Sequence, residues 1–180
     1  MSGKSEGAAG VRESVEKRDS RPSKFAYFAG GCFWCITPAF RRSLGVLRVT
    51  SGFSGGEEAD PSYEDVKSQL TGHRECVRVE YAGDYASLVD VFLASVDPFD
   101  GGGQYIDRGR SYTLAIYYTD ESERETAGAK IAALAEKSGK TPKISLEPFR
   151  SFYAAGDEHQ DYDLKNPEAF ERELRESGRK

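Results

Sequence analysis

Cysteine is scarce: three residues in a chain of 180 are too few for a disulfide scaffold. The odd count leaves one thiol over, whatever pairs. A close cysteine pair in such a chain suits a reducing compartment, where it is more often catalytic or metal-binding than structural. Long apolar runs are missing too. No segment approaches the roughly 20 apolar residues of a membrane span, and the polar stretch from Met1 to Lys24 lacks the apolar core of a secretory signal. A cytoplasmic protein without membrane contacts is expected. Positive charge is also in deficit, 25 Lys and Arg against 30 Asp and Glu for a net −5. That balance gives no general attraction to nucleic acid or anionic lipid.

What is present is enough for a core. Hydrophobic residues make up 38%, with ten Tyr, ten Phe and one Trp, and the length favours one domain. Residues 1–23 are polar and charged and read as a disordered tail, leaving 24–180 as the folded unit. Phe25–Phe28 is an apolar strand stopped by Gly30-Gly31. Phe33, Ile36, Phe40 and Leu44 recur at helical spacing, with Pro38 tolerated only near the helix start. Val46–Phe53 reads as a strand, and Pro61–Leu70 as a short helix behind an Asp60 cap with proline at its first position. Glu75–Tyr81 alternates as a strand, Ala86–Val96 is an apolar-striped helix, and a glycine-rich loop leads to a strand at Ser111–Tyr118. A helix over 121–138, a short strand near Ile144–Leu146, an aromatic and polar stretch from Phe152 to Tyr162, and a charged helix from Pro167 complete the chain. Interleaved strands and helices predict an α/β or α+β fold around one sheet.

The chemistry concentrates in Gly30-Gly31-Cys32-Phe33-Trp34-Cys35. A strand that turns at two glycines and delivers Cys32 to a helix N-terminus places the thiol near orphan N–H groups and a positive dipole end. Both favour the thiolate, the nucleophilic form. Cys35 lies one helical turn on and can form a disulfide with Cys32. Free cysteines are often small core hydrophobes, but the glycine pair and helix start argue for a reactive thiol. A zinc reading competes, because Cys32-x-x-Cys35 and His73-x-x-Cys76 offer ligands at paired spacings. Against it, the gap between pairs is long, and Cys76 alternates with Arg74 and Arg78 as a strand residue would.

These residues resemble the active-site motif of A-type peptide methionine sulfoxide reductases. The likeness continues in order through Gly52-Phe53-Ser54-Gly55-Gly56, Thr71-Gly72-His73-Arg74-Glu75, Asp97-Pro98, the group Gln104, Asp107, Gly109 and Tyr112, then Phe152-Tyr153 and His159-Gln160. The resemblance implies a single-domain α/β roll with a ferredoxin-like mixed sheet. It implies that Cys32 attacks the sulfur of methionine-S-sulfoxide, or of a related sulfoxide, to give a sulfenic acid. Cys35 would then resolve this as a disulfide for a thioredoxin-type reductant, with no cofactor or metal. Tyr112 and Asp107 would join the two cysteines in catalysis. Phe33, Trp34, Thr37, Phe53, Glu75 and His159 would form the substrate-binding positions, with Phe33 and Trp34 walling the substrate methyl.

Departures fall inside that site. Thr37 stands where the family has a glutamate read as the acid for the sulfoxide oxygen, and Phe53 replaces an oxygen-directed tyrosine. Ser111, Thr113, Gly156 and Glu158 also differ. On this reading Tyr112 is the remaining oxygen-directed group; His73 or Glu75 could supply a replacement acid, although both match positions usually read as structural. Three alternatives stay open: a slow reductase, a shifted sulfoxide substrate, or a dithiol redox or binding protein without sulfoxide turnover.

Overall fold

A computed structural model describes residues 22–179; the tail expected over 1–23 falls almost entirely outside them. The elements are β1 (Lys24–Gly30), α1 (Phe33–Arg41), β2 (Val46–Ser54), α2 (Tyr63–Lys67), β3 (Arg74–Tyr81), α3 (Tyr85–Ser95), β4 (Gly103–Gln104), β5 (Asp107–Arg108), β6 (Leu114–Tyr118), α4 (Glu121–Ser138), β7 (Ile144–Pro148), β8 (Phe152–Ala154), α5 (Tyr162–Lys165) and α6 (Pro167–Glu176). Six strands form a mixed sheet in the order β7-β6-β1-β3-β2-β8, and β4-β5 is a separate hairpin. All pairings in the large sheet are antiparallel except β6 with β7, which α4 joins as a crossover, as parallel neighbours require. This is the α/β architecture expected.

Strand alternation sorts the two faces. Phe28, Val77, Val79, Leu114 and Ile116 pack with Phe40 of α1 and Phe92 of α3 into the main core. Their burial supplies most of the folding drive, at about 25 cal/mol per Å² of apolar surface. Tyr27, Ala29, Cys76, Ala115 and Tyr117 point the other way, under Phe149 and Phe152. On that far face Arg74 ties three strands together, its Nη1 donating to Glu147 at 2.6 Å and to the Tyr117 hydroxyl at 3.0 Å. The helices cover one face, and α3 is capped by Asp84, whose carboxylate accepts from the Ala86 and Ser87 N–H groups.

Three local expectations change. The second helix is shorter than Pro61–Leu70 and begins at Ser62, whose hydroxyl accepts from the Asp65 N–H, while Asp60 sits outside it at φ 47°. Ser111 and Tyr112 belong to a 3-10 turn, so β6 starts at Leu114. The stretch after Phe152, read without periodicity, contains the edge strand β8, paired with the end of β2. Among the described residues no helix is long and apolar enough to cross a membrane.

Candidate active site

The site lies where β1 ends and α1 begins. Gly31 turns the chain at φ +81°, and a Cβ there would come within 2.8 Å of Gln104, so only glycine makes this approach without strain. Cys32 is therefore fixed as the N-cap of α1, with its side chain making no capping bond. Its backbone carbonyl accepts from the Cys35 N–H at 3.1 Å, which folds the two cysteines onto one turn. All three cysteines are free thiols; Cys32 and Cys76 are buried and Cys35 is partly exposed.

A cavity of about 200 Å³ opens beside Cys32 and is lined also by Trp34, Cys35, Tyr63, Glu75 and Asp107, with Tyr112 completing its wall. Glu75 is 2% exposed. It belongs to the core-facing register of β3, two residues before Val77, and its Oε1 accepts from the Phe33 N–H at 3.2 Å. The carboxyl thus occupies the free N–H end of α1 that sequence reasoning gave to the Cys32 thiolate. Burial pushes its pKa up to about 8, the Phe33 N–H opposes that, the Asp107 charge adds to it, and a hydrogen bond from Tyr112 opposes it again. Near neutral pH Glu75 is a protonated acid inside the cavity.

The expectation of a lowered Cys32 pKa is reversed. Hydrogen bonding to Cys35, burial, and the nearby Cys35, Glu75 and Asp107 charges hold the Cys32 thiol well above its ordinary range. The dipole of α1 is real, but its N–H donor faces a carboxyl and the thiol sits among acids. Two phenols border the same space. Burial pushes both Tyr63 and Tyr112 upward, reinforced by the Glu75 charge, so each is an O–H donor at physiological pH.

The residues named from sequence divide into three groups. Cys32, Cys35, Glu75, Asp107, Tyr112 and Trp34 come together on the cavity. Phe33 and His159 stand behind the aromatic wall. The Phe33 ring is fully buried, 5.8 Å from Phe53 and 5.6 Å from His159, while the His159 ring lies tilted by 38° at 4.2 Å from that of Tyr63, with its pKa lowered by burial. Trp34 is held in place by Tyr162, with ring centroids 3.9 Å apart. Thr37 and Phe53 do not line the cavity. Thr37 is 2% exposed and donates to the Phe33 carbonyl at 2.6 Å; Phe53 is a core ring. The replacement acid weighed at Glu75 lies on the cavity beside the thiol, while Thr37 does not.

The four residues of the zinc reading are not assembled. Cys76 faces the opposite side of β3 from Glu75, and both His73 ring nitrogens are occupied, Nδ1 by the Gly56 N–H at 3.1 Å and Nε2 by the Glu58 carbonyl at 2.7 Å. Among the described residues no group of three or more His, Cys, Asp or Glu side chains is placed to hold a metal ion.

Sequence reasoning missed Tyr63, Lys67, Ile106, Glu173, Ser177 and Arg179, all on the cavity. Tyr63 follows the Ser62 cap and carries a phenol toward the thiol, a signal visible once that cap is recognised. The last three come from the end of α6 and the residues after it, and nothing local in a charged terminal helix points to them.

The family described as peptide methionine sulfoxide reductase matches residues 24–180. Peptide methionine sulfoxide reductase MsrA of Halalkalibacterium halodurans is 41% identical over 171 residues, covering 92% of this chain and 94% of that protein. Among solved structures, reduced Mxr1 of Saccharomyces cerevisiae superposes with a TM-score of 0.77 at 25% identity, covering 87% of this chain and 92% of that one. Methionine sulfoxide reductase A of Corynebacterium diphtheriae gives 0.71 at 29% identity, covering 81% and 76%. The yeast protein has also been solved in complex with Trx2, and at 19% identity and a TM-score of 0.54 that structure shares the fold, over 83% of this chain and 91% of that one. With a family match spanning the whole described fold, the chain belongs to the peptide methionine sulfoxide reductase family.

Proposed function

We propose that this protein reduces methionine sulfoxide, the S epimer, through Cys32, Cys35 and Glu75. One observation carries the reading: a thiol, a second thiol on the same turn and a buried carboxyl whose pKa is raised to about 8 line one small cavity.

The steps balance on these groups. Cys32 sulfur attacks the sulfoxide sulfur, and the S–O bond breaks as its oxygen passes to Cys32. Glu75 donates its proton to that oxygen, which grows strongly basic as the bond order falls, and takes up the Cys32 thiol proton. The products are the thioether and a Cys32 sulfenic acid. The raised thiol suits this exchange, because Cys32 gives up its proton only when a basic oxygen is present to relay it. Tyr112 and Tyr63 hydrogen-bond the developing charge, and Trp34 supplies an apolar surface for the methyl group. Cys35 then attacks the sulfenate, releasing water and leaving a Cys32–Cys35 disulfide.

Cys35 is partly exposed, so an external dithiol can reach the disulfide; a thioredoxin-type donor is the reductant, in keeping with the Trx2 bound by the yeast protein. A reaction that runs on free thiols suits a reducing compartment such as the cytoplasm. The test is steady-state turnover with each epimer of a methionine sulfoxide and a thioredoxin system. Turnover of the S epimer that Cys32→Ser abolishes supports the reading; equal behaviour of wild type and Cys32→Ser on every sulfoxide overturns it.

A further inference from the structure

The two phenols on the cavity come from separate pieces of chain. Tyr63 opens α2, and Tyr112 ends the 3-10 turn Arg110–Tyr112. The side chain of Gln69 joins these pieces. Its Oε1 accepts from the Ser111 N–H at 2.9 Å, and its Nε2 donates to the Ser111 hydroxyl at 2.7 Å and to the Lys67 carbonyl at 3.1 Å. Ser111 is 1% exposed, so its N–H depends on this acceptor. The turn is shaped to receive the amide: Gly109 stands at φ +112°, and a Cβ there would lie 2.7 Å from the Gln69 Cδ.

The backbone at Gln69 shows what is given up for this contact. α2 closes with two bonds, from the Gln69 N–H to the Val66 carbonyl at 3.1 Å and from the Leu70 N–H to the Asp65 carbonyl at 3.0 Å. This form of helix end needs a left-handed residue at position 69. Glycine takes that conformation freely, whereas Gln69 takes it at φ 63°, where a Cβ crowds the backbone. The residue is exposed, so no burial of its own offsets the strain. What glutamine adds over glycine is the amide that reaches Ser111, the neighbour of Tyr112. Strain kept beside an active site by a specific contact points to function.

We propose, on the sulfoxide reductase reading above, that Gln69 is a positioning residue: by clamping Ser111 it holds the Tyr112 phenol on the cavity and ties it to the helix that carries Tyr63. Gln69 does not line the cavity itself, and it is neutral, so it acts through geometry. A displacement of about 1 Å in a reacting group can cost about 10²-fold in rate. The clamp also reaches Glu75. Burial raises the Glu75 pKa and the hydrogen bond from Tyr112 opposes that rise. A loosened phenol therefore lets the pKa climb further, while the Asp107 and Lys67 charges that also act on Glu75 remain.

The test compares full-length wild type, Gln69→Gly, Tyr112→Phe and the double variant, with methionine S-sulfoxide as substrate and dithiothreitol as reductant. Glycine removes the clamp but relieves the backbone, so Gln69→Gly should change the thermal midpoint little. Its kcat should fall about tenfold or more, with KM changed less than kcat. In the Tyr112→Phe background the same substitution should cost no more than about twofold, because the group it acts through is gone. Gln69→Glu, whose carboxylate can accept from both the Ser111 N–H and its hydroxyl, should keep most of the wild-type kcat. Carboxyl 13C NMR titration gives a second readout: the Glu75 pKa should rise in Gln69→Gly, in the direction in which Tyr112→Phe moves it. Wild-type kcat in Gln69→Gly overturns the proposal, as does an equal fold loss with and without the Tyr112 hydroxyl. If wild type turns over no sulfoxide, the reductase reading fails by itself and the titration decides the clamp, an unmoved Glu75 pKa in Gln69→Gly overturning it.

Discussion

Replacing Glu75 with glutamine separates the energetic cost of the buried acid from its chemical use. The side chain keeps its volume and can still accept the Phe33 N–H bond, but it no longer ionises. Glu75 has its pKa raised from 4.5 to about 8 in the fold. The folded protein therefore holds this proton over a range in which the unfolded chain has lost it. By linkage the contribution to stability is fully present below about pH 4.5 and is lost as pH rises through about 8. At about 1.4 kcal/mol per tenfold, the span corresponds to roughly 5 kcal/mol as an upper figure, softened by whatever water enters with the charge. Urea unfolding of the reduced protein at pH 5, 7 and 9 reads this directly. Wild type should weaken by several kcal/mol more than Glu75→Gln between pH 5 and 9, and the variant should be the more stable of the two at pH 9. Turnover should move the other way: without the acid, kcat on methionine sulfoxide should fall by about 10²–10⁴-fold, and the decline of wild-type activity above about pH 8 should vanish. Parallel stability profiles for the two proteins would refute the argument that Glu75 is a buried, proton-holding group.

Other changes test the rest of the site. Thr37→Glu should give no gain in activity and should destabilise the fold by several kcal/mol in chemical denaturation, because position 37 is 2% exposed, faces the core and offers no partner for a carboxylate. Tyr112→Phe and Tyr63→Phe should each lower kcat, by up to about 10²–10³-fold for a donor aimed at the developing charge, with little change in thermal midpoint. The double variant should lose more than either, whereas a double variant as active as wild type would show that neither phenol serves the oxygen.

The contrast between Cys76 and Glu75 shows what the sequence carried. Alternation along β3 sets Cys76 apart as a strand residue. The same period of two puts its neighbour Glu75 on the opposite face with Val77 and Val79, which is the face α1 covers. Strand periodicity therefore contained the acid's location, but only once it was known which face α1 packs on. The helix-start argument for Cys32 located the thiol and missed its electrostatics, because Glu75, Asp107 and Cys35 act through space and the first two come from other elements. The strand β8 escaped notice because an edge strand of three residues has too little pattern to stand out. The placement of α6 was illegible for a different reason: its anchor is the long-range pair of Arg179 with Asp107, and ion pairs between distant parts of a chain leave no local signature. The ordered motifs, by contrast, are local, and the family they indicate is the one that residues 24–180 match.

The most direct test of the central claim is a stoichiometric reaction without reductant, followed by intact mass and thiol counting. One equivalent of reduced protein with excess methionine S-sulfoxide should release one equivalent of methionine, lose two of its three thiols, and carry a Cys32–Cys35 disulfide with Cys76 untouched. Under the same conditions Cys35→Ser should release one equivalent of methionine and retain a Cys32 sulfenic acid. Release of methionine by Cys32→Ser, or a disulfide that includes Cys76, would contradict the account.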